Sequence, residues 1–303
     1  MRNVEEVKEG VFRIRVPQPV PGDVFVYVIK KEKVTLIDAG HPSSDSQASL
    51  ITTLKEIGIK LADIDQIILT HRDMDHIGTL LTYANELNCQ VFARYPAKKE
   101  PTLYEQLEGI RPQLPDQFTE ELLTKASMDE IDFAQAEHLA ITKHVMHGDM
   151  IDVGGEYLEV LETPGHSFDH ISLYDPGSRL LYGGDVLIEN GPPAKIIDLQ
   201  QYLFTLDALR QKDIAVVFPS HGPIMDHHLD AIEQAFTTII DIDQKIITCL
   251  KDGSKSCYEL AMQFNNGKVD ENLLFYIQLI SNHLNRLREK DIIIDTGRGV
   301  SLQ

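Results

Sequence analysis

Long apolar runs are missing from this 303-residue chain. No stretch approaches the roughly eighteen apolar residues of a membrane-spanning helix, so no span is expected. The first residues, Met1-Arg2-Asn3-Val4-Glu5-Glu6-Val7-Lys8, carry no apolar signal segment. Cysteine is scarce: the three present, Cys89, Cys249 and Cys257, form no CxxC spacing. That excludes a paired disulfide framework and suits a reduced, cytoplasmic protein. Positive charge is also short, with 28 Lys and Arg against 47 Asp and Glu and a formal net charge of −19. Such a balance repels a phosphate backbone at long range. It argues against a general nucleic-acid binder, though a local basic patch could survive.

What is present is enough apolar material, 43% of residues, for one large core and a small appended domain. The densest chemistry lies in Thr70-His71-Arg72-Asp73-Met74-Asp75-His76. Four side chains able to bind metal crowd between an apolar strand, Asp65 to Leu69, and a helix expected from Ile77 to about residue 87. Imidazole and carboxylate at such a turn suit Zn²⁺, Mn²⁺ or Fe²⁺. Three later segments repeat the arrangement. Thr163-Pro164-Gly165-His166-Ser167 follows the strand Tyr157 to Leu161. Tyr182-Gly183-Gly184-Asp185 ends the strand from Arg179. Pro219-Ser220-His221-Gly222-Pro223 follows Ala215 to Phe218. Each apolar strand runs into a Gly- or Pro-bearing turn that carries one His or Asp, where scaffolds place functional groups.

These four segments, with Leu36-Ile37-Asp38-Ala39-Gly40 ahead of them, resemble in order and spacing the metallo-β-lactamase-fold hydrolases. The resemblance covers about residues 10–225. It implies an α+β fold, a four-layer αββα sandwich with two divalent metal ions at one edge. By position, it implies one ion held by His71, Asp73 and His166, and a second held by Asp75, His76 and His221, with Asp185 bridging both. It implies hydrolysis by a metal-bridging hydroxide, with Asp75 also a proton shuttle to the leaving group. The family pattern has His where this chain has Asp73. A third carboxylate makes the core formally one unit less positive, weakens the metals slightly as Lewis acids and favours oxygen-preferring ions. Zn²⁺ still ranks first, because His71 and His166 remain; Mn²⁺ and Fe²⁺ follow. A carboxylate at this position also resembles the flavodiiron branch, but nothing after residue 225 resembles a flavodoxin domain.

The rest of the chain organises around that expectation. Helices are expected over residues 43–57 and 199–211. Residues 95–147, with Pro96, Pro101, Pro112 and Pro115, read as a helical insertion, either a lid or wall over the site or a surface decoration or oligomer contact. His138, His144 and His147 within it read as solvent-facing. His170 reads either as a group near the site or as a structural strand-start histidine, and Asp38 as support for the site loops. Asp226 is expected to cap a long helix ending near Leu250. The chain thus divides into a sandwich domain over 1–225 and a linker helix with a small helical domain over 226–303. In the latter, helices at 256–261 and 273–290 precede a hairpin at 291–302, an order that resembles a winged helix. The same unit follows the sandwich in the family subgroup typified by β-lactamase-like protein 2, which includes endoribonuclease activity. His283, Arg286, Arg288, Lys290 and Arg298 could face a phosphate chain, but six acidic residues offset them. The expected function is hydrolysis of a small ester, thioester or lactone. The alternatives are a phosphodiesterase or nuclease with the same dinuclear site, and a non-catalytic ligand-sensing protein. A homodimer is the default assembly.

Overall fold

A computed structural model describes residues 3–19, 22–95, 105, 111, 139–269 and 272–303. Runs rich in Val and Ile make the first sheet, because β-branched side chains pack well on a pleated surface. Its strands lie side by side in chain order: β1 (Val4–Lys8), β2 (Val11–Val16), β3 (Val24–Lys30), β4 (Val34–Ile37), β5 (Gln66–Ile68), β6 (Gln90–Ala93) and β7 (Lys143–His144). The pairing is antiparallel as far as β4 and parallel beyond it. The second sheet contains β8 (Met150–Asp152), β9 (Tyr157–Glu162), β10 (Ile171–Asp175), β11 (Leu180–Gly184) and β12 (Val216–Pro219). Only β11 and β12 run parallel in it.

The two sheets bury their inner faces against each other. Tyr27, Ile29, Ile37 and Ile68 of the first meet Val160, Ile171, Leu173 and Phe218 of the second, and the rings of Tyr27 and Phe218 stack with centroids 5.2 Å apart. Outside the first sheet lie α1 (Ser44–Glu56) and α2 (Met74–Thr82). Their Leu50, Leu54 and Ile77 pack on Val26, Leu36 and Ile67. Outside the second lie α3 (Leu199–Arg210) and α4 (His228–Leu250), with Leu203, Leu206 and Ile232 on Leu161, Leu181 and Val217. Each such buried side chain contributes about 1.5–3 kcal/mol. The result is the expected αββα order, with one apolar layer between the sheets and one beneath each pair of helices.

After α4 come α5 (Cys257–Phe264), α6 (Asn272–Glu289) and a hairpin of β13 (Ile293–Thr296) and β14 (Gly299–Leu302). Leu260, Leu273, Ile280, Leu284, Leu287 and Val300 form a separate core that also takes in Ile246 and Leu250 of α4. A capping box opens α5: Glu259 N–H donates to Ser256 Oγ and Ser256 N–H to Glu259 Oε2. At the base of this unit, His283 Nδ1 donates to Asp243 Oδ1 at 2.7 Å, and the other Asp243 oxygen pairs with Arg286. Burial pushes His283 down to about 4, so the ring is neutral. In the unfolded chain it protonates near its ordinary value of about 6.5. Between those values the unfolded state binds more protons, so this contribution is complete above pH ~6.5 and is lost as pH falls towards 4, at up to about 1.4 kcal/mol per unit. Urea unfolding at pH 7 and 4.5 should therefore show a smaller acid loss for His283→Gln than for wild type.

Three expectations need correction or delimitation. The helix after the motif begins at Met74, not Ile77, and ends at Thr82. Asp73 is its N-cap residue, so Asp75 and His76 stand in the first helical turn, where the positive helix end favours a carboxylate. Asp226 does not cap α4: the N-cap is His227, and the Asp226 carboxylate instead pairs with the His227 ring at 3.1 Å. The expected lid over 95–147 lies mostly outside the described residues, as does His138. Within it, the His144 ring packs against Tyr95, with centroids 4.0 Å apart and planes tilted by 36°. No described helix is long and apolar enough to cross a membrane.

Candidate metal centre

The parallel strands β4 and β5 of one sheet and β11 and β12 of the other end at the same edge. Connections leaving the carboxyl ends of strands are free to carry polar groups. The loop after β5 carries His71 and Asp73, and the first turn of α2 carries Asp75 and His76. The β9–β10 loop carries His166. Asp185 directly follows β11 and His221 closely follows β12. Backbone bonds tie these loops together: Ile171 N–H donates to Thr70 O at 2.8 Å and Phe25 N–H to Ser220 O at 2.8 Å. Two glycines permit the approach. At Gly78 a Cβ would stand 2.3 Å from His41 C, so α2 could not lie against that turn. At Gly184, φ is +59 and a Cβ would meet His170 Nε2 at 2.6 Å.

All seven residues singled out in the sequence meet here. His71 Nε2 and His166 Nε2 are 3.2 Å apart, and Asp73 Oδ2 lies 3.6 and 3.3 Å from them. Asp75 Oδ1 is 3.4 Å from His76 Nε2, and its Oδ2 is 3.3 Å from His221 Nε2. Asp185 faces both groups. Its Oδ1 is 3.6 Å from His76 Nε2, and its Oδ2 is 3.6 Å from His166 Nε2 and 3.4 Å from His221 Nε2.

The fit to divalent cations follows from these distances. Tetrahedral ligands on bonds of about 2.0–2.2 Å stand roughly 3.4 Å from each other, and every separation above lies close to that. The outer ring nitrogens are already committed. His166 Nδ1 donates to Lys195 O at 2.8 Å, His221 Nδ1 to Asp23 O at 2.9 Å and His76 Nδ1 to Asp38 Oδ2 at 2.9 Å. His71 Nδ1 lies 3.0 Å from the Thr70 hydroxyl. With Nδ1 committed as a donor, Nε2 is the atom that each ring turns towards its neighbours. His76 Nε2 and Asp185 Oδ1 are buried with no hydrogen-bond partner. A cluster of acceptors with buried orphans is stable only around protons or cations.

The titration directions say the same. Burial lowers His76 and His221, yet the carboxylates outweigh it. Asp75, Asp38 and Asp185 push His76 up to about 10, and Asp185 with Asp75 pushes His221 up to about 11. Burial raises Asp185, but His76, His221 and His166 hold it well below the usual carboxylate range. Such groups exchange a proton for a cation when one binds.

The supports lie one contact further out. Asp38, 1% exposed and at a left-handed φ of 63°, accepts from Thr70 N–H at 2.8 Å, from the Thr70 hydroxyl, from His76 Nδ1 and from Ser220 Oγ at 3.2 Å. His170 is structural: its Nδ1 meets Thr163 Oγ1 at 2.8 Å and its Nε2 accepts Asp185 N–H at 3.0 Å. Burial, with His71 and His166 nearby, holds its pKa well down.

Sequence reading missed Lys195. Its Nζ lies 2.6 and 2.9 Å from the two Asp73 oxygens. Burial raises Asp73, but Lys195, then His71, and a hydrogen bond with His166 hold it well below its ordinary value. Lys195 sits in the loop Pro192-Pro193-Ala194-Lys195, which carries no motif. The available signal was charge: an added carboxylate in a buried cluster calls for an added cation.

The sequence profile of the metallo-beta-lactamase superfamily matches residues 19–221. The "Probable metallo-hydrolase YqjP" of Bacillus subtilis (strain 168) is 29% identical over 96% of both chains. The "Beta-lactamase-like protein 2 homolog" of Caenorhabditis elegans is 23% identical over 82% of this chain and 74% of its own. A hydroxyacylglutathione hydrolase of Rhodopseudomonas palustris (strain BisB5) is 30% identical over 50% of this chain and 46% of its own. Among solved structures, a metallo-beta-lactamase family protein from Thermus thermophilus superposes with a TM-score of 0.77. It is 22% identical and covers 98% of this chain and 100% of that one.

Proposed function

The chain belongs to the metallo-beta-lactamase superfamily and is a hydrolase, and from that premise we propose that it cleaves a small ester, thioester or lactone at a dinuclear metal centre. His71, Asp73 and His166 would hold one ion and Asp75, His76 and His221 the other, with Asp185 facing both groups. The observation that carries the reading is the convergence of seven donor groups at 3.2–3.6 Å. Bound divalent cations, Zn²⁺ first and Mn²⁺ or Fe²⁺ after it, supply Lewis acidity and a water that ionises near neutral pH.

The chain's own residues do the rest. Asp38, Lys195 O and Asp23 O lock the imidazoles by their Nδ1 atoms, so the Nε2 lone pairs need no reorganisation. The Asp75 side chain is partly open to solvent, 21% exposed. Burial raises it, but His76 and His221 lower it further, so it stands deprotonated. In that state it can take the proton released by water and pass it to the leaving group.

The half-length likeness to a hydroxyacylglutathione hydrolase, whose substrate is a thioester, supports an acyl bond. The basic residues of the C-terminal unit weigh against a nucleic-acid strand. Arg286 is tied to Asp243 and Arg288 to Asp295 at 2.9 Å. We take that unit, after a division near residue 226, as a winged-helix-like domain bracing the sandwich rather than reading nucleic acid.

The test is the metal content of the purified protein with a panel of p-nitrophenyl esters, lactones, acyl-thioesters and bis-p-nitrophenyl phosphate. About two ions per chain and turnover of the acyl substrates are expected, lost on chelation and regained with Zn²⁺. Turnover of the phosphodiester alone would favour a nuclease. Metal-free protein inactive on the whole panel would favour a ligand sensor.

A further inference from the structure

Among the described residues, Asp73 is the carboxylate of the centre that meets a lysine. Its Oδ2 faces the imidazoles of His71 and His166, and Lys195 Nζ lies 2.6 Å from Oδ1 and 2.9 Å from the same Oδ2. Asp75 and Asp185 meet imidazoles instead. The lysine is held in place by its own loop. Its carbonyl accepts from His166 Nδ1, the next carbonyl, Ile196 O, accepts from Asn282 of α6, and Ile197 N–H donates to Gly165 O at 2.8 Å. One residue therefore orients His166 through its backbone and Asp73 through its side chain.

The charge arithmetic is equally specific. Relative to a neutral imidazole, Asp73 adds one negative charge to the cluster, and the ammonium beside it cancels that charge. A neutral ion pair stands where a neutral ring would serve. The weakening of the metals expected from Asp73 alone is thereby offset.

We propose that Lys195 tunes the first metal group: its ammonium sits on both oxygens of the Asp73 carboxylate that an ion there would use, and its charge offsets the one Asp73 adds. The inference rests on the dinuclear reading above. Its consequence is asymmetry. An ion at His71, Asp73 and His166 competes with an ammonium for the carboxylate and is repelled by it, whereas among the described residues Asp75, His76 and His221 have no ammonium beside them. The first group binds more loosely.

Zn²⁺ affinities measured by chelator competition on the full chain, in a cycle of Lys195→Met, Asp73→His and the double variant, test this. Wild type should show two separated affinities. Lys195→Met should tighten the weaker one by about tenfold or more, as removal of a nearby like charge and a competitor requires. Lys195→Arg, which keeps the charge, should stay within about threefold of wild type. In the Asp73→His background the Lys195→Met effect should shrink below about threefold, because the lysine acts through the carboxylate. Should Lys195→Met melt below the assay temperature, Lys195→Gln takes its place.

An effect that is absent, weakens binding, or has the same size in both backgrounds overturns the proposal. With two ions bound and hydrolysis intact, that result leaves the hydrolase reading standing. If neither wild type nor Lys195→Met takes up Zn²⁺, both fall.

Discussion

Asp185→Ala is expected to lower turnover of any panel substrate by at least about 10³-fold, and to reduce bound metal from two ions to one or fewer. Asp185 is the carboxylate that faces both groups, with Oδ1 towards His76 and Oδ2 towards His166 and His221. Two dications about 3.5–4 Å apart repel each other by on the order of 18 kcal/mol at an effective dielectric of about 20, so the pair needs an anion between them. Alanine removes that anion and leaves two triads with no common ligand. The metal-free variant should still fold, because alanine removes a buried charge whose Oδ1 has no hydrogen-bond partner. Rates come from the substrate panel, metal content from elemental analysis and folding from circular dichroism. Full activity in this variant would show that the bridging role is wrongly assigned.

Asp38→Ala is expected to act on stability as well as on the metal. Asp38 is buried, and groups from three other segments converge on it: Thr70 after β5, His76 on α2 and Ser220 after β12. Alanine would leave an amide, two hydroxyls and an imidazole without their acceptor. Breaking a buried, charge-assisted network of this kind costs about 3–5 kcal/mol. The backbone adds to this, since φ of 63° is tolerated by Asp better than by Ala. Denaturant unfolding of the metal-free protein reads the stability loss. Chelator competition should show Zn²⁺ affinity down by about 10- to 100-fold, the usual consequence of releasing a ligand's outer hydrogen bond. Asp38→Asn, which keeps an acceptor oxygen, should lose less on both counts. Unchanged Zn²⁺ affinity in both variants would mean that His76 does not depend on Asp38 for its orientation.

Much of the site was legible along the chain because its parts are local. A strand ending in a turn with His or Asp is a pattern a few residues long, and imidazole with carboxylate has few other uses at that density. The start of α2 was less legible. The polar motif gives no apolar period, so its second half did not read as helix. The helix nevertheless begins at Met74, with His76 N–H bonded to Asp73 O at 3.0 Å. The Asp226 cap failed for a similar reason: at an exposed helix end, a neighbouring His227 competes for the carboxylate.

By itself, then, the sequence determined the ligand types, their order along the chain and the alternation of strand and helix that forces a layered sandwich. These depend on side-chain chemistry and short-range periodicity. Tertiary structure alone decided which loops touch. Lys195 reaches Asp73 across 122 positions of chain, His170 turns inward to hold the backbone of Asp185, and Asp38 joins four segments. No local rule encodes such pairs. They exist because two sheets pack face to face and bring the ends of β4, β5, β11 and β12 to one edge, where buried charges must find partners or the packing fails.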